Sequence, residues 1–311
     1  MEEAMEHVIV TGATGMVGAS MIEQMVADGI KVTAIVRPAS SKMINLPQHN
    51  NIKCIECDID QLQSLKSQLH ESYDTFYHFA WNGTYGQSRE DAHLQERNIK
   101  NTLDAVDLAA HTGCKVFIGA GSQAEFGRVE GKISDVLPKN PTTGYGIAKL
   151  SACNLSRILC EKYGIRHNWG RIVSTYGPRD NSYTMVMSSI IHMLRGERMS
   201  FTKGEQIWDY LYGGDCSRAF YLIGKYGKHG KAYTIGSGNT RYLKDFIKAI
   251  RDKVNPELEI GLGELEYYPN QVMELCADIS ELTQDTGFVP EVDFESGIQR
   301  TIDWYRSIQH E

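Results

Sequence analysis

The hydrophobic pattern in the first half of the chain alternates between short apolar runs and longer segments with apolar residues at helical spacing. The apolar runs predict strands at residues 7–11, 31–36, 52–57, 75–81, 115–119 and 163–173. The segments between them predict helices that end near residues 28, 71, 111 and 162. Strands that alternate with helices form a parallel sheet covered by helices on both faces. We therefore predict an α/β fold with a Rossmann-type doubly wound parallel sheet in residues 1–173.

The pattern changes beyond residue 173, where shorter elements are separated by loops that contain glycine and proline. Helices are predicted near residues 183–195, 215–226, 243–254 and 295–309, with one strand at 207–212. We interpret residues 174–311 as mainly a smaller C-terminal α/β lobe. In open parallel sheets the ligand lies at the carboxyl ends of the strands, and this lobe is expected to cover that edge.

Composition restricts the partners and the compartment of the protein. The chain has 311 residues, 41% of them hydrophobic, and a net charge of −7, which argues against nucleic acid or an anionic membrane as a partner. No apolar run is long enough to span a membrane, and the segment 1–6 is too acidic for a signal peptide. Seven scattered cysteines are typical of a reducing compartment. We expect a cytoplasmic protein.

The spacing of Cys54 and Cys57 is that of a redox or zinc motif. The two residues lie on a predicted strand, however, where positions three apart point to opposite faces of the sheet. The sequence contains no second pair at ligand spacing, and its histidines do not cluster with cysteine or carboxylate. We interpret both cysteines as structural and predict no metal site.

A glycine-rich turn joins the first predicted strand to the first predicted helix. Gly12, Gly15 and Gly18 permit a tight turn, close approach of a phosphate and close packing of the helix on the sheet. Such a turn presents backbone N–H groups and a helix N-terminus to a pyrophosphate. Because a strand precedes the turn and a helix follows it, the motif predicts a nicotinamide dinucleotide site.

The end of the second predicted strand bears on the choice of cofactor. NAD-binding proteins usually carry an acidic residue there, for the ribose 2′-hydroxyl. This chain has Arg37 instead, followed by Ser40, Ser41 and Lys42, which suit a 2′-phosphate. The alternative is an exposed loop arginine without a ligand. We favour NADP(H) over NAD(H).

Ser122, Tyr145 and Lys149 form a candidate proton-transfer group. On a helix over residues 143–162 the tyrosine and the lysine are one turn apart on the same face. A nearby cation favours the phenolate, and a serine hydroxyl can share its proton. A chance surface pair is the alternative for the tyrosine and the lysine.

Together these motifs resemble the extended short-chain dehydrogenase/reductases, in particular their nucleotide-sugar epimerase, dehydratase and reductase branch. The resemblance covers nearly the whole chain, including the cofactor turn 11–18, the pair Asp58–Ile59, the strand end 78–80 and the ending 277–305. It implies that Ser122, Tyr145 and Lys149 are catalytic. The implied cofactor-binding residues are Gly12, Thr14, Gly15, Met16, Val17, Arg37, Asp58, Ile59, Phe79, Ala80, Trp81, Asn98, Tyr145 and Lys149.

Substrate contacts are implied in the same way, for Trp81, Ser122, Gln123, Tyr145, Ser174, Arg179 and Trp208. Three positions depart from the family pattern. Sugar 4,6-dehydratases carry Asp-Glu directly after the serine or threonine, whereas this chain has Gln123 and Ala124, which cannot act as acid or base. Trp208 stands where an arginine usually contacts the nucleotide diphosphate, and Ser174 where asparagine is common.

The resemblance implies an NAD(P)-dependent enzyme that acts on a nucleotide-activated hexose, as a 4-ketoreductase or a 4-epimerase. Residues 203–215 resemble the CDP-abequose synthases, which are reductases of this branch. Two alternatives remain open: a reductase of a ketone or alcohol without a nucleotide, and a non-catalytic dinucleotide sensor. A homodimer through the helices at 90–111 and 143–162 is a further implication of the resemblance.

Overall fold

Seven parallel strands form the central sheet of the computed structural model, which describes residues 5–269 and 271–309. The strands of this sheet are β1 (His7–Thr11), β2 (Lys31–Val36), β3 (Ile52–Glu56), β4 (Thr75–His78), β5 (Val116–Ser122), β7 (Arg166–Ile172) and β12 (Ala232–Ile235). Their order is β3-β2-β1-β4-β5-β7-β12. The order reverses direction between β1 and β4, which is where doubly wound sheets bind ligands. The predicted Rossmann-type fold is confirmed.

Helices cover both faces of the sheet, as the alternating pattern predicts. The helices are α1 (Met16–Ala27), α2 (Ala92–His111), α3 (Gly144–Tyr163), α4 (Met185–Leu194), α5 (Gly213–Tyr226), α6 (Leu243–Val254), α7 (Ser280–Thr286) and α8 (Phe294–Ser307). One core cluster joins the sheet to α1, α5 and α7, and a second joins it to α2 and α3. Strand β1 shows why both faces are apolar, since Val8 and Val10 enter the first cluster and Ile9 the second.

Several predicted boundaries differ from the structure for local reasons. The predicted helix before residue 71 is a 3₁₀ helix, Ile59–Ser67, whose first turn is capped by the Asp58 carboxylate. The last sheet strand predicted in the first half begins at Arg166, because Tyr163 still belongs to α3. Gly164 then ends that helix in a left-handed conformation, at φ 68°.

Strand β12 comes from the second half of the chain and was not predicted. Its residues Ala232–Ile235 pair with Trp169–Ile172 of β7, at the edge of the large sheet. A buried four-residue strand offers too few positions for a periodicity to be recognised. Residues 174–311 therefore complete the large sheet in addition to building a smaller lobe.

The smaller lobe packs α4, α6 and α8 around its own apolar cluster. Its short strands are β6 (Lys132–Ile133), β8 (Thr175–Tyr176), β9 (Ser200–Phe201), β10 (Ile207–Trp208), β11 (Leu211–Tyr212), β13 (Arg241–Tyr242), β14 (Gly261–Leu262) and β15 (Glu274–Ala277). The strand predicted at 207–212 is two strands, β10 and β11, which belong to different sheets. Buried Asp209 separates them and accepts hydrogen bonds from the backbone N–H groups of Ser237 and Gly238.

None of the helices within the described residues has the length and apolarity needed to cross a lipid bilayer. Residues 1–4, most of the segment whose acidity argues against a signal peptide, lie outside the described part of the chain.

A buried ion pair connects the end of β5 to β7. Glu125, in a 3₁₀ turn directly after β5, has no exposed surface, and its carboxylate accepts a hydrogen bond from Arg171 Nε at 2.6 Å. The same carboxylate accepts the Trp169 indole N–H at 3.0 Å and the Ser122 backbone N–H at 2.9 Å. Arg171 also pairs with Asp135. Two buried donors and one partly buried donor therefore depend on one carboxylate.

Replacing Glu125 by alanine is expected to destabilise the protein by about 3–5 kcal/mol, because it leaves the Arg171 charge and two N–H groups without their acceptor. Urea unfolding followed by circular dichroism measures the loss. Glu130→Ala, which removes an exposed carboxylate nearby, is the control and is expected to change stability by less than about 0.5 kcal/mol. A Glu125→Ala protein as stable as this control contradicts the role of the pair.

Candidate active site

The turn between β1 and α1 has the shape of a phosphate cradle. Gly12 adopts φ 68°, and a Cβ atom there would lie 2.7 Å from the Ala80 backbone nitrogen. A Cβ atom at Gly18 would overlap the Gly12 carbonyl oxygen, so both positions require glycine. Gly15 is the N-cap of α1 and provides no side-chain cap. The first amides of the helix therefore remain available to an anionic ligand.

A cavity of about 360 Å³ opens in front of this turn, at the carboxyl ends of β1, β2 and β4. Lys42, Asn181 and Tyr183 line its outer part. The expected cofactor residues that line the cavity are Gly12, Thr14, Gly15, Arg37, Ile59, Phe79, Ala80 and Trp81. The volume and the cradle are suited to part of a dinucleotide.

Six other expected cofactor residues are not part of this lining: Tyr145 and Lys149, which are described below, and four more. Asp58 caps the 3₁₀ helix, and Asn98 makes two hydrogen bonds of 2.9 and 2.8 Å to the backbone of Asn82. Asn82 is itself a lining residue, so Asn98 shapes the cavity from behind. The other two, Met16 and Val17, lie against α5: the Met16 side chain is close to Gly213, and the Val17 carbonyl accepts the Ser217 hydroxyl at 2.8 Å.

Two cations stand at the end of β2. The side chain of Arg37 is exposed, and Lys42 donates a hydrogen bond of 3.2 Å to the Asn181 side-chain oxygen. Asn181 belongs to the segment that leads into α4, so this bond links the two sides of the cavity mouth. The described residues that line the cavity include no carboxylate.

Ser122 and Tyr145 meet at the carboxyl end of β5. The Ser122 hydroxyl accepts the Ala124 backbone N–H at 3.2 Å and lies beside the Tyr145 phenol, where it acts to lower the pKa of that phenol. Tyr145 is in the first turn of α3, which Thr143 caps through the Gly146 N–H at 3.0 Å. Burial raises the pKa of Tyr145, while the Ser122 hydrogen bond opposes the increase.

Lys149 is buried one turn further along α3, and its ammonium donates to the Ala120 carbonyl at 2.7 Å. The ammonium lies 3.6 Å from the centroid of the Trp81 indole but 5.8 Å from that of the Tyr145 ring. Burial lowers the pKa of Lys149 to about 7, against the attraction of Glu125. The expected stabilisation of the Tyr145 phenolate by Lys149 is thus not the largest electrostatic effect on the phenol in this geometry.

The cation closest to the Tyr145 ring is Arg89, which sequence reasoning missed. Its guanidinium carbon lies 4.3 Å from the ring centroid, and its charge opposes the effect of burial on the pKa of Tyr145. Arg89 ends a short 3₁₀ turn, Gly86–Arg89, in the loop between β4 and α2. Nothing in the spacing of a loop arginine indicates that it will lie over a tyrosine 56 positions later in the chain.

The expected substrate residues separate into three locations. Trp81 makes an edge contact with Tyr145, with ring centroids 6.1 Å apart, and Gln123 directly follows Ser122 in the 3₁₀ turn. Trp208 donates its indole N–H to the Ser174 hydroxyl at 3.1 Å, so the side chains of these two residues are hydrogen-bond partners of each other.

Arg179 is placed elsewhere. It forms an ion pair with Glu23 of α1, one of whose contacts measures 3.1 Å, and lines a separate cavity of about 600 Å³. That cavity is the larger of the two, and neither cavity is lined by Ser122, Tyr145 or Lys149, but Trp81 of the smaller one contacts both Tyr145 and Lys149. The structure does not bring Arg179 together with the catalytic candidates.

Metal-ligating side chains do not gather at this site. Across residues 5–269 and 271–309, no group of three or more histidine, cysteine, aspartate or glutamate side chains could hold a metal ion. Cys54 is exposed and Cys57 is buried, as expected for residues on opposite faces of a strand.

The chain is similar in sequence to several sugar-nucleotide dehydratases. A dTDP-glucose 4,6-dehydratase of Escherichia coli is 30% identical over 177 residues, which make up 53% of this chain and 49% of that protein. The chain spans about half the length of several such curated relatives.

Two solved structures share the fold. The UDP-glucose 4-epimerase of Thermotoga maritima, solved with UDP-glucose, has a TM-score of 0.88 and 23% identity, covering 97% of this chain and 99% of its own. The UDP-glucuronic acid 4-epimerase of Bacillus cereus, solved with UDP-glucuronic acid and NAD, has a TM-score of 0.83 and 22% identity, with coverages of 97% and 99%. The sequence model of the NAD-dependent epimerase/dehydratase family matches residues 8–236, most of the chain, and the protein belongs to that family.

Proposed function

We propose that the protein is an NAD(P)-dependent oxidoreductase or epimerase of a nucleotide-activated hexose, with hydride transfer at a sugar carbinol or ketone. The observation that carries the proposal is the placement of the Ser122 hydroxyl beside the Tyr145 phenol at the same sheet edge as the Gly12–Gly18 cradle. A proton-transfer pair beside a dinucleotide-type cradle is the combination that carbonyl reduction and alcohol oxidation require.

The residues present fit a nicotinamide dinucleotide. The Gly12 and Gly18 positions have no room for a side chain, and the amides at the start of α1 point to where a pyrophosphate would bind. When bound, the cofactor supplies or accepts a hydride. Gly12, Thr14 and Gly15 would hold its phosphates, and Lys149 would hold its ribose.

The proton is handled by the chain's own side chains. The Tyr145 phenol gives a proton to the sugar oxygen or takes one from it, and the Ser122 hydroxyl holds that oxygen in place. Burial disfavours the phenolate, so in this role Tyr145 depends on the polar and cationic groups around it.

Dehydration is the least favoured reaction of this branch. Gln123 and Ala124 occupy the positions of the dehydratase carboxylates. The carboxylate of the next residue, Glu125, already accepts hydrogen bonds from Arg171, Trp169 and the Ser122 backbone. No carboxylate at positions 123–125 is therefore free to remove a proton beside the ketone, which supports a ketoreductase or an epimerase.

A second candidate function is reduction of a ketone or alcohol that carries no nucleotide. It is supported by the bond between Trp208 and Ser174, because an indole cannot replace an arginine as the partner of a diphosphate. Equilibrium binding of UDP, CDP, GDP and dTDP separates the two candidates. Binding of one of these nucleotides supports the sugar-nucleotide substrate, and binding of none of them favours the second candidate.

Phenylalanine at position 145 is expected to lower kcat by at least about 100-fold, since a general acid–base group contributes 10²–10⁴. Cofactor affinity should change little, because the lost hydroxyl faces Ser122. Turnover is measured with a panel of nucleotide 4-keto-6-deoxyhexoses and the corresponding hexoses. Tyr163→Phe, on the exposed end of the same helix, is the matched control. If Tyr145→Phe keeps more than about a tenth of the wild-type rate, Tyr145 is not the proton donor.

For the cofactor, we propose that NADP(H) binds more tightly than NAD(H). Arg37 and Lys42 line the cavity, none of whose other described lining residues is a carboxylate, and a guanidinium binds a 2′-phosphate through charge-assisted hydrogen bonds. Each such bond contributes roughly 1.5–3 kcal/mol.

Arg37→Ala should therefore weaken NADP(H) binding about tenfold or more and leave NAD(H) binding nearly unchanged. Calorimetric titration of both cofactors into wild type, Arg37→Ala and the exposed control Arg306→Ala measures the difference. A wild-type preference for NAD(H), or NAD that copurifies tightly bound, contradicts the NADP(H) proposal and favours an epimerase over a reductase.

We also propose a homodimer that uses α3. Ile147, Leu155 and Ile158 lie along one side of this helix and are 52%, 44% and 56% exposed. A helix stripe of this kind is typical of a surface that another chain covers. We expect sedimentation velocity to give a dimer mass at micromolar concentration, with Ile158→Lys shifting the protein toward monomer. A monomeric wild type under these conditions excludes the dimer.

A further inference from the structure

The 3₁₀ turn Gly86–Arg89 packs directly on the start of α3. The Gly144 backbone N–H donates to the Glu90 carboxylate at 3.1 Å, and a Cβ atom at Gly144 would lie 3.0 Å from the Arg89 carbonyl oxygen. Arg89 is held within its own loop as well, since its guanidinium donates to the Thr84 carbonyl at 3.2 Å. The turn therefore has a fixed position relative to the helix that carries Tyr145.

A second contact fixes the outer side of the same loop. Tyr85 stacks on Tyr183 with ring centroids 4.0 Å apart, and Tyr183 belongs to the segment that precedes α4. The loop is thus held between α3 and the smaller lobe. The Arg89 guanidinium carbon lies 4.3 Å from the centroid of the Tyr145 ring. The fixed position of the loop backbone contributes to this placement, together with the conformation of the arginine side chain.

Four polar or charged groups surround Tyr145, one of them from its own helix and three from the segments packed against it. Ser122 from β5 lies beside its phenol, and Glu125 from the following turn is already paired with Arg171. Lys149, from the same helix, faces Trp81 and the Ala120 carbonyl. Arg89 is the remaining cation, and the face of a tyrosine ring attracts a guanidinium in this position.

We propose that Arg89 is a positioning residue for the proton transfer: it holds the Tyr145 ring and stabilises the negative charge that forms on the phenol when the proton leaves. This rests on the proposed function, in which Tyr145 exchanges a proton with the sugar oxygen. Arg89 thereby provides part of the phenolate stabilisation that the sequence pattern predicts for Lys149. Lys149 remains available to the cofactor ribose.

The electrostatics agree with this geometry. Burial raises the pKa of Tyr145, and the Arg89 guanidinium acts in the opposite direction. Removing Arg89 therefore moves the pKa of Tyr145 further upward, so that less phenolate exists at any given pH. The phenolate population falls about tenfold for each pH unit by which the midpoint rises.

The direct test is a pH titration of Tyr145 in protein saturated with NADP⁺, followed by NMR of [¹³Cζ]tyrosine, with the signal assigned from Tyr145→Phe. The midpoint is expected at higher pH in Arg89→Gln than in wild type, and Arg89→Lys is expected to restore part of the difference. Arg306→Gln, an exposed charge removal in the last turn of α8, should leave the midpoint unchanged. An unchanged midpoint in Arg89→Gln overturns the proposal.

Turnover provides a second readout that a purely structural role would not give. On a hexose from the panel, whose hydroxyl must lose its proton to the Tyr145 phenolate during oxidation, the rate deficit of Arg89→Gln is expected to shrink as the pH rises, because more phenolate forms. A deficit that stays constant with pH contradicts the electrostatic role. The NMR titration needs no substrate, so failure of every sugar nucleotide to react would overturn the proposed function while the shift of the Tyr145 midpoint remains measurable.

Discussion

The buried carboxylate of Glu125 is the interaction on which the site depends. It accepts hydrogen bonds from Arg171, Trp169 and the Ser122 backbone, all inside the protein. A buried charge without partners costs several kcal/mol, so these donors have little freedom to move independently. Because Arg171 also pairs with Asp135 beyond β6, the same ion pair connects the large sheet to the smaller lobe. The position of the Ser122 hydroxyl is a consequence of this network.

Packing imposes a second constraint just below the site. The Trp169 indole of β7 lies against Gly119 and Gly121 of β5, where any Cβ atom would overlap the ring. The indole fills the space of two side chains and still reaches Glu125 with its N–H. The absence of side chains at the two glycines of β5 thus lets the Trp169 ring of β7 pack directly on the backbone of β5, close to where that strand ends. This is a volume constraint of the kind that close-packed interiors enforce.

Electrostatics at Tyr145 is governed by burial rather than by one cation. Burial opposes the charged form of both Tyr145 and Lys149, in opposite directions on the pKa scale. Because burial lowers the pKa of Lys149, a smaller fraction of this lysine is positively charged near neutral pH than its place in the motif suggests. The Arg89 guanidinium is the cation nearer to the ring, which makes it the more direct partner of the phenol.

The sequence alone determined the parallel sheet, the glycine cradle and the serine, tyrosine and lysine, because periodicity and short spacings are local properties of the chain. The sequence did not reveal strand β12, the place of Arg89 over Tyr145, the pairing of Glu125 with Arg171 or the separation of Arg179 from the site. Each of these joins residues that are distant in the chain. Such contacts follow from how volumes and charges are satisfied once all elements have packed together, and only the tertiary structure contains that information.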